Sequence, residues 1–445
     1  METLINFINN NSIAFSAVIL LVAYVFIALE KIPKVTIALV GASLTIILGL
    51  LGQNKFTDGS FNNFYFINFV DFNVIFLLVS MMIIVIISSR SGIYNWLANE
   101  MLKKTEGHPK LILLALGIFT AIASAFLDNV TTVILLMPIT FVISQELDID
   151  PRPFLITEII ASNIGGTSTL IGDPPNIIIG SAANLSFLDF IYELTGIVII
   201  VFILAMSILF FVFRKHLVAE KEKMDKIKNL DNTRTIKNKK LAIRSVSVLL
   251  FVIIGFMLHD ITHIQTCIVA MFGASILLIF EKPGKIFRDV EWSTIFFFIG
   301  LFIIIGGLEA AGGIKLMSEW LLKITNGSVK ATTMVVLWAS GILSGFIDNI
   351  PYTATMAPLV LQIQNVMGRA YAFPIWWALS LGACLGGNIT IIGAAANVIV
   401  SETAAAKNYK ISFLEYMKYG AGVTFIALLA SSAYLWFRFL VRMPG

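Results

Sequence analysis

Asp128 and Asp348 stand where an apolar chain has least use for a charge. Asp128 interrupts the apolar stretch from Leu111 to Ser144 and Asp348 the stretch from Thr332 to Ile363, and an Asn follows each (Asn129, Asn349). A carboxylate halfway along such a stretch costs about 2.5–3.5 kcal/mol or more in lipid. Two roles fit it: carrying a proton or Na⁺, or capping the free N–H groups of a helix end, for which Asp and Asn are both favoured. A third carboxylate, Asp173, lies in the run S-N-I-G-G-T-S-T-L-I-G-D-P-P-N from Ser162 to Asn176. Asp before Pro also commonly makes a turn.

That run sits inside the apolar segment Pro153 to Ala183, yet holds three Gly, two Pro and two Asn. Pro supplies no N–H, and Gly weakens the helix on either side. Unwound backbone at membrane depth is tolerated only where it is buried in protein or lines a wet cavity. The composition therefore predicts a broken helix facing a binding site. The pattern recurs: G-G-T-S-T-L-I-G-D-P-P-N from Gly165 and G-G-N-I-T-I-I-G-A-A-A-N from Gly386 match at both leading glycines. They match again at Thr169/Thr390, Ile171/Ile392, Gly172/Gly393 and Asn176/Asn397. Paired, glycine-interrupted apolar segments in two halves of a membrane protein point to a transporter's substrate site. Helix N-termini freed at such breaks suit anions, whereas freed carbonyls and Asn, Thr or Asp oxygens suit Na⁺.

The elements that must position these residues span a membrane. Hydrophobic residues make up 58% of the chain and charged ones 13%, against about 45–50% and about 25% in soluble domains. Runs near 13–29 and 35–51 are simple spans, with Glu30, Lys31 and Lys34 marking a cytoplasmic turn and the polar stretch 52–70 outside. From Val70 the sequence V-D-F-N-V-I-F-L-L-V repeats as V-E-W-S-T-I-F-F-F-I from Val290. Each copy leads to a glycine (Gly92, Gly312) and a short stretch, amphipathic in the first copy through Ile93, Trp96, Leu97 and Met101. The two Asp-Asn pairs then read as tips of re-entrant hairpins at mid-depth. Residues 214–240 carry ten Lys and Arg and must be cytoplasmic. Counting spans from there inverts the second copy relative to the first. The expected fold is an all-α polytopic membrane protein of two inverted-topology repeats, each with a re-entrant hairpin and a broken helix. It has ten crossings plus two hairpins. The expected units are scaffold helices 1–69, repeat 70–213, basic loop 214–240, linking helices 241–289 and repeat 290–445.

Other residues argue more weakly. His259 and His263 lie four apart with no further ligand nearby, which favours a solvated loop over a metal site. Glu158 and Glu309 lie in apolar runs and suit either a second proton group or an interhelical hydrogen bond. Cys384 precedes the second break; packing explains it better than contact with a thiophilic substrate. Two cysteines imply no disulfide framework. The first apolar run has no basic leader or small-residue cleavage site, so no signal peptide is expected. No nucleophile–base set, metal cluster or Walker-type phosphate loop is evident. An enzyme is therefore not expected, although a separate ATPase subunit remains compatible, and no resident cofactor is expected beyond Na⁺ or H⁺ as coupling ion. The expected partners are the lipid bilayer and a small inorganic or organic ion, with no nucleic acid.

F-L-D-N-V-T-T-V-I-L-L-M-P with the Ser162–Asn176 run, then F-I-D-N-I-P-Y-T-A-T-M-A-P with the Gly386–Asn397 run, resemble the ion transporter superfamily. The resemblance is to the branch of arsenite permeases, sodium–proton antiporters of their type and the melanosomal P protein, with its citrate transporter-like domain, and covers residues 70–440. It implies a scaffold plus a mobile unit of hairpins and broken helices, working by an elevator motion and usually as a homodimer. It also implies that Asn129, Thr131, Gly165, Gly166, Thr169 and Asn176 line one half-site, and Asn349, Thr353, Gly387, Asn388, Thr390 and Asn397 the other. Asn163 and Asp173 lie in the same motif. The divalent-anion symporters of the superfamily carry Ser-Asn-Thr at the tips; Asp128-Asn129-Val130 and Asp348-Asn349-Ile350 depart from that and count against a dianionic substrate. The expected function is H⁺- or Na⁺-coupled secondary transport of a small ion across the cytoplasmic membrane, of the arsenite/antimonite efflux or Na⁺/H⁺ antiport kind. The alternative is Na⁺-coupled uptake of a di- or tricarboxylate or another oxyanion.

Overall fold

The apolar runs fold as helices in a computed structural model that describes residues 7–8, 10–29, 31–51, 68–228 and 235–443, and among these there is no strand. The expectations for Glu30, for the polar stretch 52–67 and for Arg234 lie outside the described residues, as do the side chains of Lys226 and Lys228. The chain opens with α1 (Ser12–Leu29) and α2 (Lys34–Ile47). A first series follows: α3 (Phe72–Arg90), α4 (Ile93–Lys103), α5 (Pro109–Phe126), α6 (Asn129–Leu147), α7 (Arg152–Gly166), α8 (Pro174–Ala183) and α9 (Phe187–Phe213). The basic stretch carries α10 (Lys221–Lys228), and the link comprises α11 (Lys239–Met257), α12 (His259–Thr262), α13 (Thr266–Leu278) and α14 (Pro283–Asp289). The second series is α15 (Trp292–Ala310), α16 (Gly313–Ile324), α17 (Val329–Ser344), α18 (Asn349–Met367), α19 (Arg369–Gly386), α20 (Ala395–Ala406) and α21 (Phe413–Arg438).

Among the described residues, eight helices are long and apolar enough to cross a bilayer, and α2, α13 and α17 are shorter apolar helices. The protein is an all-α polytopic membrane protein. The two arms of the first hairpin, α5 and α6, have 18 and 19 residues. At about 1.5 Å per residue each nearly equals the roughly 30 Å hydrocarbon core. An arm whose tip sits at mid-depth must therefore tilt steeply or project beyond the lipid.

The chain breaks at the two predicted places, Thr167–Asp173 between α7 and α8 and Gly387–Ala394 between α19 and α20. Each break is held by the same contacts at matching positions. Ser124 Oγ donates to the Ser162 carbonyl at 2.7 Å, as Ser344 Oγ does to Ala383 at 2.6 Å. Thr169 donates to the Ala125 carbonyl, as Thr390 Oγ1 does to Gly345 at 2.5 Å. Asn176 Nδ2 donates to the Thr169 carbonyl and Asn397 Nδ2 to that of Thr390, each at 2.9 Å. These side chains satisfy carbonyls that the missing helical turns leave open, as low dielectric requires.

Glycine sets the distance between hairpin and broken helix. A Cβ on Gly165 would lie 2.2 Å from the Ala121 carbonyl oxygen, and one on Gly386 would lie 2.4 Å from that of Gly341. Gly165→Ala must push α7 off α5, at the upper end of the roughly 1–3 kcal/mol typical of overpacking. A thermal melt in detergent is expected to show a fall of several degrees for Gly165→Ala. Gly196→Ala, whose Cβ meets nothing within 4 Å, should melt with the parent protein.

The first two helices pack on the second series. Gly300 of α15 lies against the Ala38 backbone of α2, and Ser16 Oγ donates to the Gly307 carbonyl at 3.1 Å. Tyr24 of α1 donates to the Pro351 carbonyl of α18 at 2.6 Å. At the other end of the hairpin, α6 stops at Asp148 in the left-handed region (φ 54°). Lys223 of the basic stretch meets Asp148 at 2.9 Å, and its ammonium holds that carboxyl below the usual carboxylate range.

Candidate functional site

Asp173 begins α8 in an extended conformation, and its carboxylate accepts no hydrogen bond from its own helix. The next residues are Pro174 and Pro175, which have no N–H to offer there. The carboxylate points away from the helix instead. It accepts Asn349 Nδ2 at 3.1 and 3.2 Å on its two oxygens, and Asn129 Nδ2 at 3.2 Å. The asparagines of both hairpin tips thus donate to one carboxylate on one break. Asp173 is fully buried.

The contacts continue across both halves. Asn129 Nδ2 also donates to Asn163 Oδ1 at 3.1 Å. Asn163 Nδ2 in turn donates to Asn388 Oδ1 and Asn397 Oδ1, both at 2.9 Å. Amides are both donors and acceptors, so they link end to end where a carboxylate pair would repel. The six side chains of this network, Asn129, Asn163, Asp173, Asn349, Asn388 and Asn397, are each at most 3% exposed, so each needs the next.

The two tip carboxylates both cap, but differently. Asp128 accepts the Thr131 N–H at 2.8 Å and the Thr131 hydroxyl at 2.5 Å. Asp348 accepts the Ile350 N–H at 3.1 Å from a left-handed backbone (φ 57°), and Lys34 Nζ reaches its other oxygen at 2.5 Å. A non-glycine residue in that region is strained by about 1–2 kcal/mol. The surroundings of Asp348, the Lys34 contact among them, hold it there. Lys34, expected as a topology marker at a cytoplasmic turn, pairs with the second hairpin tip.

These groups face one cavity of about 280 Å³. Of the residues singled out in the sequence, Asp128, Asn129, Asp173, Asp348 and Asn349 line it. Lys34, Glu291 and Thr294 line it too and were not foreseen. Glu291 had one available signal: it occupies the place that Asp71 holds in the first copy of the V-D-F-N pattern. Asp71 caps its own helix through Asn73 and Val74, whereas Glu291 caps nothing and takes the Thr294 hydroxyl at 3.2 Å.

The remaining expected residues sit behind the wall. Thr169, Thr390, Asn176 and Asn397 hold the breaks, and Asn176 Oδ1 is taken by Ser380 Oγ at 2.6 Å and Cys384 Sγ at 3.5 Å. Gly165, Gly166 and Gly387 are close-approach positions. A Cβ on Gly166 would lie 2.5 Å from the Gly172 carbonyl, and one on Gly387 would lie 3.1 Å from that of Gly393. Asn388 belongs to the amide chain, and the Thr353 hydroxyl is buried with no partner among the described residues. Glu309 is exposed at the last turn of α15. His259 opens the short helix α12, and its Nδ1 meets the Ile264 carbonyl at 2.7 Å on the exposed surface. Among the described residues no three His, Cys, Asp or Glu come together as metal ligands.

The citrate transporter family matches residues 24–382, most of the chain. A Mycobacterium tuberculosis protein named as an uncharacterized transporter is 39% identical over 428 residues, 96% of this chain and 98% of its own length. The human P protein is 29% identical over 505 residues, 95% of this chain and 59% of that protein. Among solved structures, the Alcanivorax borkumensis YdaH transporter, described as having an unusual topology, aligns with a TM-score of 0.54 at 15% identity. That alignment covers 95% of this chain and 98% of that one, and it shows the shared fold. The chain belongs to the citrate transporter family, within the ion transporter superfamily, and is a multi-pass transporter of the cytoplasmic membrane.

Proposed function

We propose that the protein is a secondary active transporter of a small ion, driven by H⁺ or Na⁺, of the efflux or antiport kind (arsenite/antimonite or Na⁺/H⁺). The observation that carries this reading is Asp173, a buried carboxylate that takes one amide from each hairpin tip. A carboxylate bonded to both hairpin tips is well placed to couple ion binding to each of them. The cavity around it has four carboxyls, Asp128, Asp173, Asp348 and Glu291, against the single ammonium of Lys34. That balance favours a cation and disfavours a dianion. Its volume lies just under the roughly 300–1,000 Å³ of ordinary small-molecule pockets, which suits a small ion. The inverted arrangement of the two series, the elevator motion and a homodimer belong to the same proposal.

A second reading, Na⁺-coupled uptake of a di- or tricarboxylate or another oxyanion, draws on different features. Helix α20 begins without a side-chain cap, so the N–H groups of its first residues, Ala395 and Ala396, remain available to an anion, whereas α8 opens on two prolines and offers none there. Lys34 adds a positive charge on the same wall. Expression in a sensitive bacterial host separates the two readings. Efflux should raise tolerance to arsenite or Na⁺. Uptake should instead allow growth on a carboxylate and its Na⁺-dependent accumulation.

A further inference from the structure

The fully buried Glu158, in the middle of α7, is not among the residues that line the cavity. One carboxyl oxygen accepts the Thr140 hydroxyl of α6, and the other has no hydrogen-bond partner among the described residues. A buried polar atom without a partner costs about 1–3 kcal/mol, and a carboxylate in that state costs more.

Glu158 belongs to a line of polar groups. Thr132, Thr140 and Ser144 are spaced eight and four apart on α6 and so share one face. The Thr132 and Ser144 hydroxyls are also buried and unpartnered among the described residues. Other buried hydroxyls in these helices, such as Thr120 and Thr157, turn back to a carbonyl four residues earlier; these two do not. One end of the line is Asn129, one turn from Thr132, in contact with Asp173. The other is the last turn of α6, which Lys223 of the basic stretch meets at Asp148.

The second series supplies an internal control. At the matching positions it carries Tyr352, Val360, Gln364 and Leu379 in place of Thr132, Thr140, Ser144 and Glu158. Val360 and Leu379 are fully buried. The same pair of helices therefore packs with apolar residues at the places of Thr140 and Glu158, and packing does not explain Glu158.

Charged neighbours do not explain it either. On α7 itself, Arg152 pairs with Asp150 and Glu415. On the packed helices, Lys110 of α5, Glu146 of α6, Arg369 and Tyr371 of α19, and Glu402 of α20 are exposed. On α9, Tyr192 is exposed, Asp189 holds the Ser186 N–H, and Glu193 pairs with Arg438. Cys384 of α19 is turned to Asn176.

We infer that Glu158 is a proton-binding site, distinct from the ion cavity and serving one half only, loaded and unloaded through the Thr140 and Ser144 hydroxyls at the end of α6 that Lys223 meets. The carboxyl takes up one proton from water at the Lys223 end and returns it by the same hydroxyls, with no other bond made or broken. This inference rests on the reading of the chain as an ion-coupled transporter. Its spectroscopic readout does not need transport, so the two can fail separately.

The test is a pH titration of the purified protein followed by infrared difference spectroscopy in H₂O and D₂O, alongside the pH profile of transport. In the parent, a titrating carboxylic C=O band is expected, lost in Glu158→Gln, and the Glu158→Gln transport profile should lose one titrating limb. The double variant Thr140→Val/Glu158→Leu copies the second series and so should fold, lacking the same band. A Glu158→Gln spectrum identical to the parent would overturn the site. Loss of the band with an unchanged transport pH profile would overturn its part in the cycle.

Discussion

Asp173→Asn is expected to reduce coupled transport about 100-fold or more while leaving a folded protein. A monovalent cation about 4 Å from a carboxylate gains about 4 kcal/mol at an effective dielectric constant near 20. Each ~1.4 kcal/mol is tenfold in binding, so even a partly screened interaction is worth two orders of magnitude. The substitution keeps the shape of the side chain. Its one carbonyl oxygen can still take both amides, as Asp173 Oδ1 does, but its Nδ2 then faces the Asn349 Nδ2 donor in place of the second oxygen, at about 1–3 kcal/mol of stability. Initial rates in proteoliposomes and a thermal melt distinguish the two effects. Transport should collapse, and the melting temperature should fall by only a few degrees. Wild-type rates in the variant would remove Asp173 from the coupling site.

The second large effect concerns Lys34 and Asp348. Lys34→Met leaves the Asp348 carboxylate, 1% exposed, without its cation. Removing one partner of a buried pair costs about 3–5 kcal/mol. The Lys34 side chain is 25% exposed, so water screens part of the loss and about 2 kcal/mol is expected. Asp348→Asn in the same background should recover much of it. Asn keeps the shape of the side chain and an oxygen for the Ile350 N–H, and the unpaired charge is gone. Melts of the parent, both single variants and the double variant complete the cycle. Simple additivity would mean that the two groups do not stabilise each other.

The breaks are legible in the sequence because proline and glycine act where they stand. Pro174 and Pro175 forbid a continuous helix, and Gly165 and Gly386 announce close approach through their matched spacing. The repeat is legible for the same reason: a shared contact such as Thr169 to Ala125 and Thr390 to Gly345 needs the same residue types at the same interval. What those residues face is not legible. Thr169 and Asn176 look like binding groups by type, yet they spend their hydrogen bonds on the carbonyls of the break. Lys34 and Asp348 are 314 positions apart, and no local pattern pairs a lysine after a proline with a distant hairpin tip. Glu158 shows in the sequence only as a carboxyl in an apolar run. Its meaning comes from Thr140 across the helix interface and from Leu379 in the other half.

The most direct test of ion coupling at a site shared by both halves is the steady-state accumulation of the transported ion in proteoliposomes. The imposed pH or Na⁺ gradient is varied, with Asp173→Asn as the comparison. Accumulation is expected to grow with the gradient, to reverse when the gradient is reversed, and to vanish in Asp173→Asn. Equal concentrations on both sides whatever the gradient, reached alike by parent and variant, would contradict it.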